Sequence, residues 1–170
     1  MTIRPVAGAD LGWMLELNRQ HETDLSPLST AGMRALTGAS YRALVAEPEA
    51  GFLLSFDQDA TYDSPNFLWF RARLPRFVYV DRVAISAAHR RKGLAGALYQ
   101  ALFAAARGDG HSHVVCEVNA VPPNPGSDRF HTALGFSVMG EGMLDDGAKK
   151  VRYYARDLAA NQESGHPAPG

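Results

Sequence analysis

The apolar positions change their period along the chain, and the changes mark out its elements. Thr2 to Val6 is a short strand candidate. Ala9-Asp10 followed by Leu11, Met14, Leu15 and Leu17 predicts a capped amphipathic helix to about His21, because residues three and four apart share one helical face. A second helix is expected over Thr30 to Leu36. Tyr41 to Ala46 and Gly51 to Phe56 are apolar runs of strand length separated by Glu47-Pro48-Glu49, which predicts a hairpin. From Asp57 to Arg76 the pattern breaks down. Pro65 and its polar neighbours argue against a continuous strand and the aromatics against full solvation, so an irregular folded lid or wall is expected there.

The second half alternates: strand over Phe77 to Ile85, helix over Leu94 to Arg107, strand over His113 to Asn119, helix from about Ser127 to Leu134, strand over Phe136 to Gly140. Such alternation predicts an α/β chain in which neighbouring parallel strands are joined by a crossover helix. With 170 residues there is room for one sizeable core, so a single domain is expected over 1–158. The Pro- and Gly-rich tail, 159–170, is expected to be disordered.

Composition mainly excludes. The 17 Lys and Arg against 18 Asp and Glu give a net charge of -1, so no global field draws nucleic acid or an anionic membrane. The single cysteine, Cys116, rules out an internal disulfide framework and a cysteine-based metal cluster, and no metal is expected. The first residues lack the apolar stretch of a signal peptide, and no run of about 18 apolar residues occurs, so a cytoplasmic protein is the expectation.

The densest chemistry lies in Ala88-His89-Arg90-Arg91-Lys92-Gly93-Leu94-Ala95-Gly96, between a strand and a helix that opens on small residues. Unpaired amides and the positive end of the helix dipole meet there, three cations precede them, and glycines let a ligand approach the main chain. The alternative is a solvated basic turn. Neither a nucleotide-hydrolysing phosphate loop nor a dinucleotide Gly-X-Gly-X-X-Gly is present. Farther on, Asn124 and Ser127 open the helix that carries His131 and ends in Leu134-Gly135-Phe136.

Arg90, Gly93 and Ala95 resemble the Arg/Gln-X-X-Gly-X-Gly/Ala signature of the GCN5-related N-acetyltransferases, and the resemblance runs from about Phe77 to Tyr154. It implies a mixed sheet with an antiparallel N-terminal part, a splayed parallel strand pair and helices on both faces. It also implies acetyl-coenzyme A as cosubstrate. Val83, Ala84 and Ile85 would pair with its pantetheine arm, the loop amides of Arg91, Lys92, Gly93, Leu94, Ala95 and Gly96 would hold its pyrophosphate, and Arg90, Asn124 and Ser127 would be further coenzyme contacts. Asn124 and Leu134-Gly135-Phe136 match the second signature, and His131 stands where the family has tyrosine, assigned to protonating the departing thiolate. Histidine, near about 6.5, is able to deliver that proton. A packing role for His131 stays open, as does simple helix capping for Asn124 and Ser127.

An amine near about pKa 10.4 must lose a proton before it attacks, so a carboxylate or a water relay is expected. Asp81 and Glu117 stand inside apolar strands and are the candidate bases, with buried ion pairs as the alternative for each. Tyr62, Asn66, Phe67 and Trp69, with Tyr79 beside Asp81, are the candidates for the acceptor wall; a satellite core would explain the same aromatics. The acceptor is expected to be a small-molecule or peptide amine, with neither nucleic acid nor membrane as partner. A non-catalytic acyl-coenzyme A binding module or sensor is the competing function. The strand near Tyr153 is read as exposed, which makes a homodimer reasonable.

Overall fold

The structure is a computed structural model that describes residues 2–23 and 25–159. The expected disordered tail therefore falls, except for Ala159, outside the described residues. Strands are hydrogen-bonded in the order β1 (Ile3–Pro5), β2 (Arg42–Ala46), β3 (Gly51–Asp57), β4 (Phe77–Ile85), β5 (His113–Val121), β7 (Lys149–Asp157) and β6 (Ser137–Leu144). The chain divides into two compact units, with the sequence passing between them after Thr61, Tyr79 and Ala105.

The first unit holds β1 (Ile3–Pro5), α1 (Leu11–Gln20), α2 (Thr30–Ala39), β2 (Arg42–Ala46) and β3 (Gly51–Asp57). To these it adds the C-terminal part of β4 (Phe77–Ile85) and most of α4 (Leu94–Gly108). β1, β2 and β3 are antiparallel, and β2 and β3 form the expected hairpin with Leu44 opposite Leu53. Met14 and Leu17 of α1 and Met33 of α2 pack on Val45, Phe52, Leu54 and Ala84. Each such burial is worth about 1.5–3 kcal/mol, which is why the three-residue spacing in α1 selects a helix. α2 starts where Ser29 Oγ accepts the Gly32 N–H at 3.0 Å.

The second unit holds α3 (Pro65–Arg71), the N-terminal part of β4, β5 (His113–Val121), α5 (Pro125–Ala133), β6 (Ser137–Leu144) and β7 (Lys149–Asp157). β4 and β5 are parallel, with Tyr79 beside Val115, and the other pairings are antiparallel. In the register of β5 and β7, Glu117 lies opposite Tyr153 and Cys116 opposite Tyr154. Partners directly opposite share a face, so Glu117 and Tyr153 point one way and Cys116 and Tyr154 the other. Trp69 of α3 stacks on Tyr153 and His131 of α5 on Tyr154, which places helices on both faces of this sheet.

Two expectations are corrected here. The segment expected to be irregular contains α3. Pro65 occupies the first helical turn, where its missing N–H costs nothing, and Phe67 and Phe70, three apart, bury one face. The strand near Tyr153 is internal, between β5 and β6, and Tyr153 is only 2% exposed. The outer strand is β6, whose Val138 and Met143 are exposed.

Candidate active site

After β4 the chain makes one 3-10 turn over Ala87–His89, extends at Arg90, and turns into α4 through Arg91 at φ 62 and Gly93 at φ 75. Left-handed backbone is free for glycine but costs an arginine roughly 1 kcal/mol, so this loop keeps a strained shape. The Ala97 N–H bonds the Gly93 carbonyl at 3.0 Å and is the first rung of the helix. The N–H groups of Leu94, Ala95 and Gly96 therefore precede the ladder, at the positive end of the dipole. A Cβ built on Gly96 meets nothing within 4 Å, so neither packing nor a left-handed φ explains a glycine there. Arg90, Arg91 and Lys92 are exposed around the amides. Such a loop accommodates a polyanion with phosphate oxygens on the amides and cations at its rim.

His21, which the sequence did not single out, belongs to this neighbourhood. Its Nδ1–H donates to the Leu17 carbonyl at 2.9 Å, which leaves Nε2 to accept from the Arg90 guanidinium at 3.5 Å. No periodicity signals this, because the two residues lie 69 positions apart. In the strand before the loop, Ala84 belongs to the core, while Val83 and Ile85 are half-buried.

The two candidate carboxylates differ sharply. Asp81 lies in the first unit, where its side chain is 6% exposed and accepts from Arg82 Nε at 2.7 Å. The same guanidinium donates to Asn18 Oδ1 at 3.0 Å, the Ser26 carbonyl at 3.2 Å and Ser26 Oγ at 3.1 Å. Asp81 thus neutralises a buried arginine that ties α1 and the chain after it to β4. Glu117 lies in the second unit, half-buried, and accepts from the Tyr79 hydroxyl at 2.7 Å.

Around Glu117 the second unit gathers most of the expected wall. Tyr153 donates to Asn66 Oδ1 at 2.9 Å, and its ring stacks on Trp69 at 4.1 Å and 20°. Burial and the nearby Glu117 charge push its hydroxyl pKa up, against a smaller opposing pull from Arg73. The Arg73 guanidinium sits 3.9 Å over Trp69. Phe67 is fully buried and Tyr79 is 1% exposed, so these two rings are core; Tyr62 packs half-buried on Phe67 at 5.6 Å.

On the opposite face of β5 and β7, Asn124 caps α5 by accepting the Ser127 N–H at 3.2 Å. His131 Nδ1 lies 2.8 Å from the Ser127 carbonyl and therefore carries a hydrogen in that bond. Its ring is 8% exposed between Phe130, Phe136 and Tyr154, and burial lowers its pKa from about 6.5. Tyr154 donates to Asp128 Oδ1 at 2.7 Å, and burial together with that carboxylate pushes its pKa up to about 12. Among the described residues, no group of three His, Cys, Asp or Glu side chains gathers as a metal-ligand set, and no helix is long and apolar enough to cross a membrane.

Residues 34–136, a span that includes the basic glycine loop and ends on Leu134-Gly135-Phe136, match the model of the acetyltransferase (GNAT) family. The chain belongs to that family. Solved structures agree on its fold. The ribosomal-protein-S18-alanine N-acetyltransferase of Escherichia coli aligns with a TM-score of 0.68 at 18% identity, over 92% of this chain and 93% of that one. An N-acetyltransferase of Staphylococcus aureus Mu50 gives 0.69 at 20%, over 92% and 98%. The Salmonella typhimurium protein yncA, solved with its cofactor acetyl-CoA, gives 0.68 at 23%, over 100% and 98%. Among curated proteins none matches the chain by sequence. The expected mixed sheet and the expected acetyltransferase class both hold for this GNAT protein.

Proposed function

We propose that this GNAT acetyltransferase moves an acetyl group from acetyl-coenzyme A to the nitrogen of a small-molecule or peptide amine by direct attack. The observation that carries the coenzyme assignment is the start of α4, where amides that precede the helical ladder, open space over Gly96 and three exposed cations coincide. Those residues suit a pyrophosphate, and the main chain of Val83, Ala84 and Ile85 suits the pantetheine arm. Asn124 and Ser127 are proposed as further coenzyme contacts beside their capping bond.

The base we assign is Glu117. Asp81 is engaged by a buried arginine, and protonating it would strand that charge, whereas the donor to Glu117 Oε2 is a neutral phenol. In the step proposed, the amine nitrogen bonds to the thioester carbon, its proton passes to Glu117 directly or through a water, and the carbon–sulfur bond breaks. Backbone N–H near Val83 steadies the oxyanion. The thiolate leaves with a proton from His131. Burial keeps imidazolium scarce at neutral pH but makes it a stronger acid, and transfer to a thiolate near about 8.5 is downhill. Asn66, Trp69 and Tyr62 are proposed to shape the acceptor side.

The test is incubation with acetyl-coenzyme A and a panel of polyamines, amino acids and short peptides with free amino termini, following thiol release. Release that depends on one acceptor class supports the proposal. Calorimetric coenzyme binding with no release from any amine would remove the amine-transfer step.

A further inference from the structure

We propose that Tyr79 is a positioning residue that orients the Glu117 carboxylate toward the acceptor nitrogen; this rests on Glu117 being the proton acceptor proposed above. Tyr79 lies beside Val115 in the parallel pair, and Glu117 is two residues farther along β5, about 6.6 Å on and on the same face. The ring of Tyr79 spans that interval to reach Glu117 Oε2 at 2.7 Å, the length of a charge-assisted bond between a hydroxyl and a carboxylate.

The surroundings single out the hydroxyl. Tyr79 is 1% exposed, and its ring meets Phe67 at 5.8 Å and Phe70 at 6.1 Å, two rings without a polar atom. A buried hydroxyl is unfavourable unless it is hydrogen-bonded, so core packing alone would favour a phenylalanine here too. What the phenol adds is a rigid donor: its ring is held by the cluster, and its aim is set by β4. A carboxylate offers about four lone-pair sites, so the phenol at Oε2 restricts its rotation while occupying only one of them.

Two effects oppose each other. A donor to the charged form makes the carboxylate a weaker base, while holding it in place makes proton transfer more frequent. Misplacement by about 1 Å can cost on the order of 100-fold, so orientation outweighs the loss of basicity. The titratable groups that meet Glu117 include Tyr79 from β4 and Tyr153 from β7, with the Arg73 charge after α3 acting at Tyr153.

The test follows Tyr79→Phe by two readouts. In protein labelled with carbon-13 at the glutamate side-chain carboxyl, the Glu117 signal is assigned by its loss in Glu117→Gln. Its titration should move up by about one pH unit in Tyr79→Phe, because a donor to the ionised form is gone. With the fastest acceptor from the thiol-release panel, kcat should fall on the order of tenfold in Tyr79→Phe, and Tyr79→Phe combined with Glu117→Gln should be no slower than Glu117→Gln alone. Far-UV circular dichroism checks the fold. An unchanged Glu117 titration overturns the inference, and so does a double variant slower than Glu117→Gln by the full effect of Tyr79→Phe. A shifted titration with a fully active Glu117→Gln has a different meaning: Tyr79 then holds Glu117, and the base assignment is what fails.

Discussion

Gly96→Asp should raise the stability of the protein and weaken its hold on coenzyme A. Gly96 sits in the first turn of α4, its φ is not left-handed, and a Cβ there meets no atom within 4 Å. The β-carbon of an aspartate is therefore admitted without a clash. It removes the helical penalty of glycine, and its charge favours the positive end of the helix dipole. Together these are worth roughly 0.5–1.5 kcal/mol, or about 1–6 °C in Tm for a chain of this size. The same charge would sit about 5 Å from a pyrophosphate on the amides of Leu94 to Gly96. At an effective dielectric of about 20, each phosphate charge is then repelled by about 3 kcal/mol, and by less than about 1 kcal/mol in open water. A net loss of about 2–4 kcal/mol means roughly 30- to 1,000-fold weaker binding. Gly93 would be a poorer position for this test, since its φ of 75 would add strain to any substitution. The assay pairs thermal unfolding with calorimetry against coenzyme A, and Gly96→Ala serves as the uncharged control. A raised Tm with unchanged affinity would refute the placement of the pyrophosphate at this loop.

Four other outcomes are expected. Glu117→Gln should lower turnover, with the deficit shrinking as pH rises and more amine is already neutral; rates across pH 6 to 9 decide it. Asp81→Asn should instead destabilise by about 3 kcal/mol in urea unfolding, because it leaves Arg82 buried without its counter-charge. His131→Phe should slow turnover roughly tenfold to a hundredfold with coenzyme affinity unchanged, and it should also alter stability against pH. Burial holds the folded pKa of His131 below the unfolded value, so its contribution is complete above about pH 6.5 and declines as pH falls toward the folded pKa; unfolding curves should lose that decline in the variant. Gly142→Ala should cost about 1–3 kcal/mol in equilibrium unfolding, since its Cβ would lie 2.5 Å from the Tyr153 hydroxyl.

The glycine loop was legible in the sequence because everything it needs is contiguous: cations, a glycine in a turn, and the first amides of a helix. The strand Phe77–Ile85 and, as far as Asn119, the strand His113–Val121 were legible because β-branched and aromatic runs of that length have few other uses. α3 was not, since proline reads as a breaker unless it falls in a first turn, and seven residues are too few to show a period. The two acids looked alike for a related reason. Both sit among apolar neighbours, but one is paired with the residue beside it and the other with a phenol 38 positions away, and only tertiary contact separates those cases. The same holds for Tyr79, placed by sequence on the acceptor wall and found in the core with its hydroxyl on Glu117.

Tyr153 and Tyr154 are adjacent and chemically identical, yet the pleat of β7 sends them to opposite faces, one stacked on Trp69 and the other on His131. That dipeptide is consequently a built-in pair of reporters. With fluorine placed on the tyrosine rings, an event on the Glu117 face perturbs the signal of the first, and an event on the His131 face perturbs the second. Occupancy of the two sides of one sheet is thus separable within a single spectrum, before any acceptor is known.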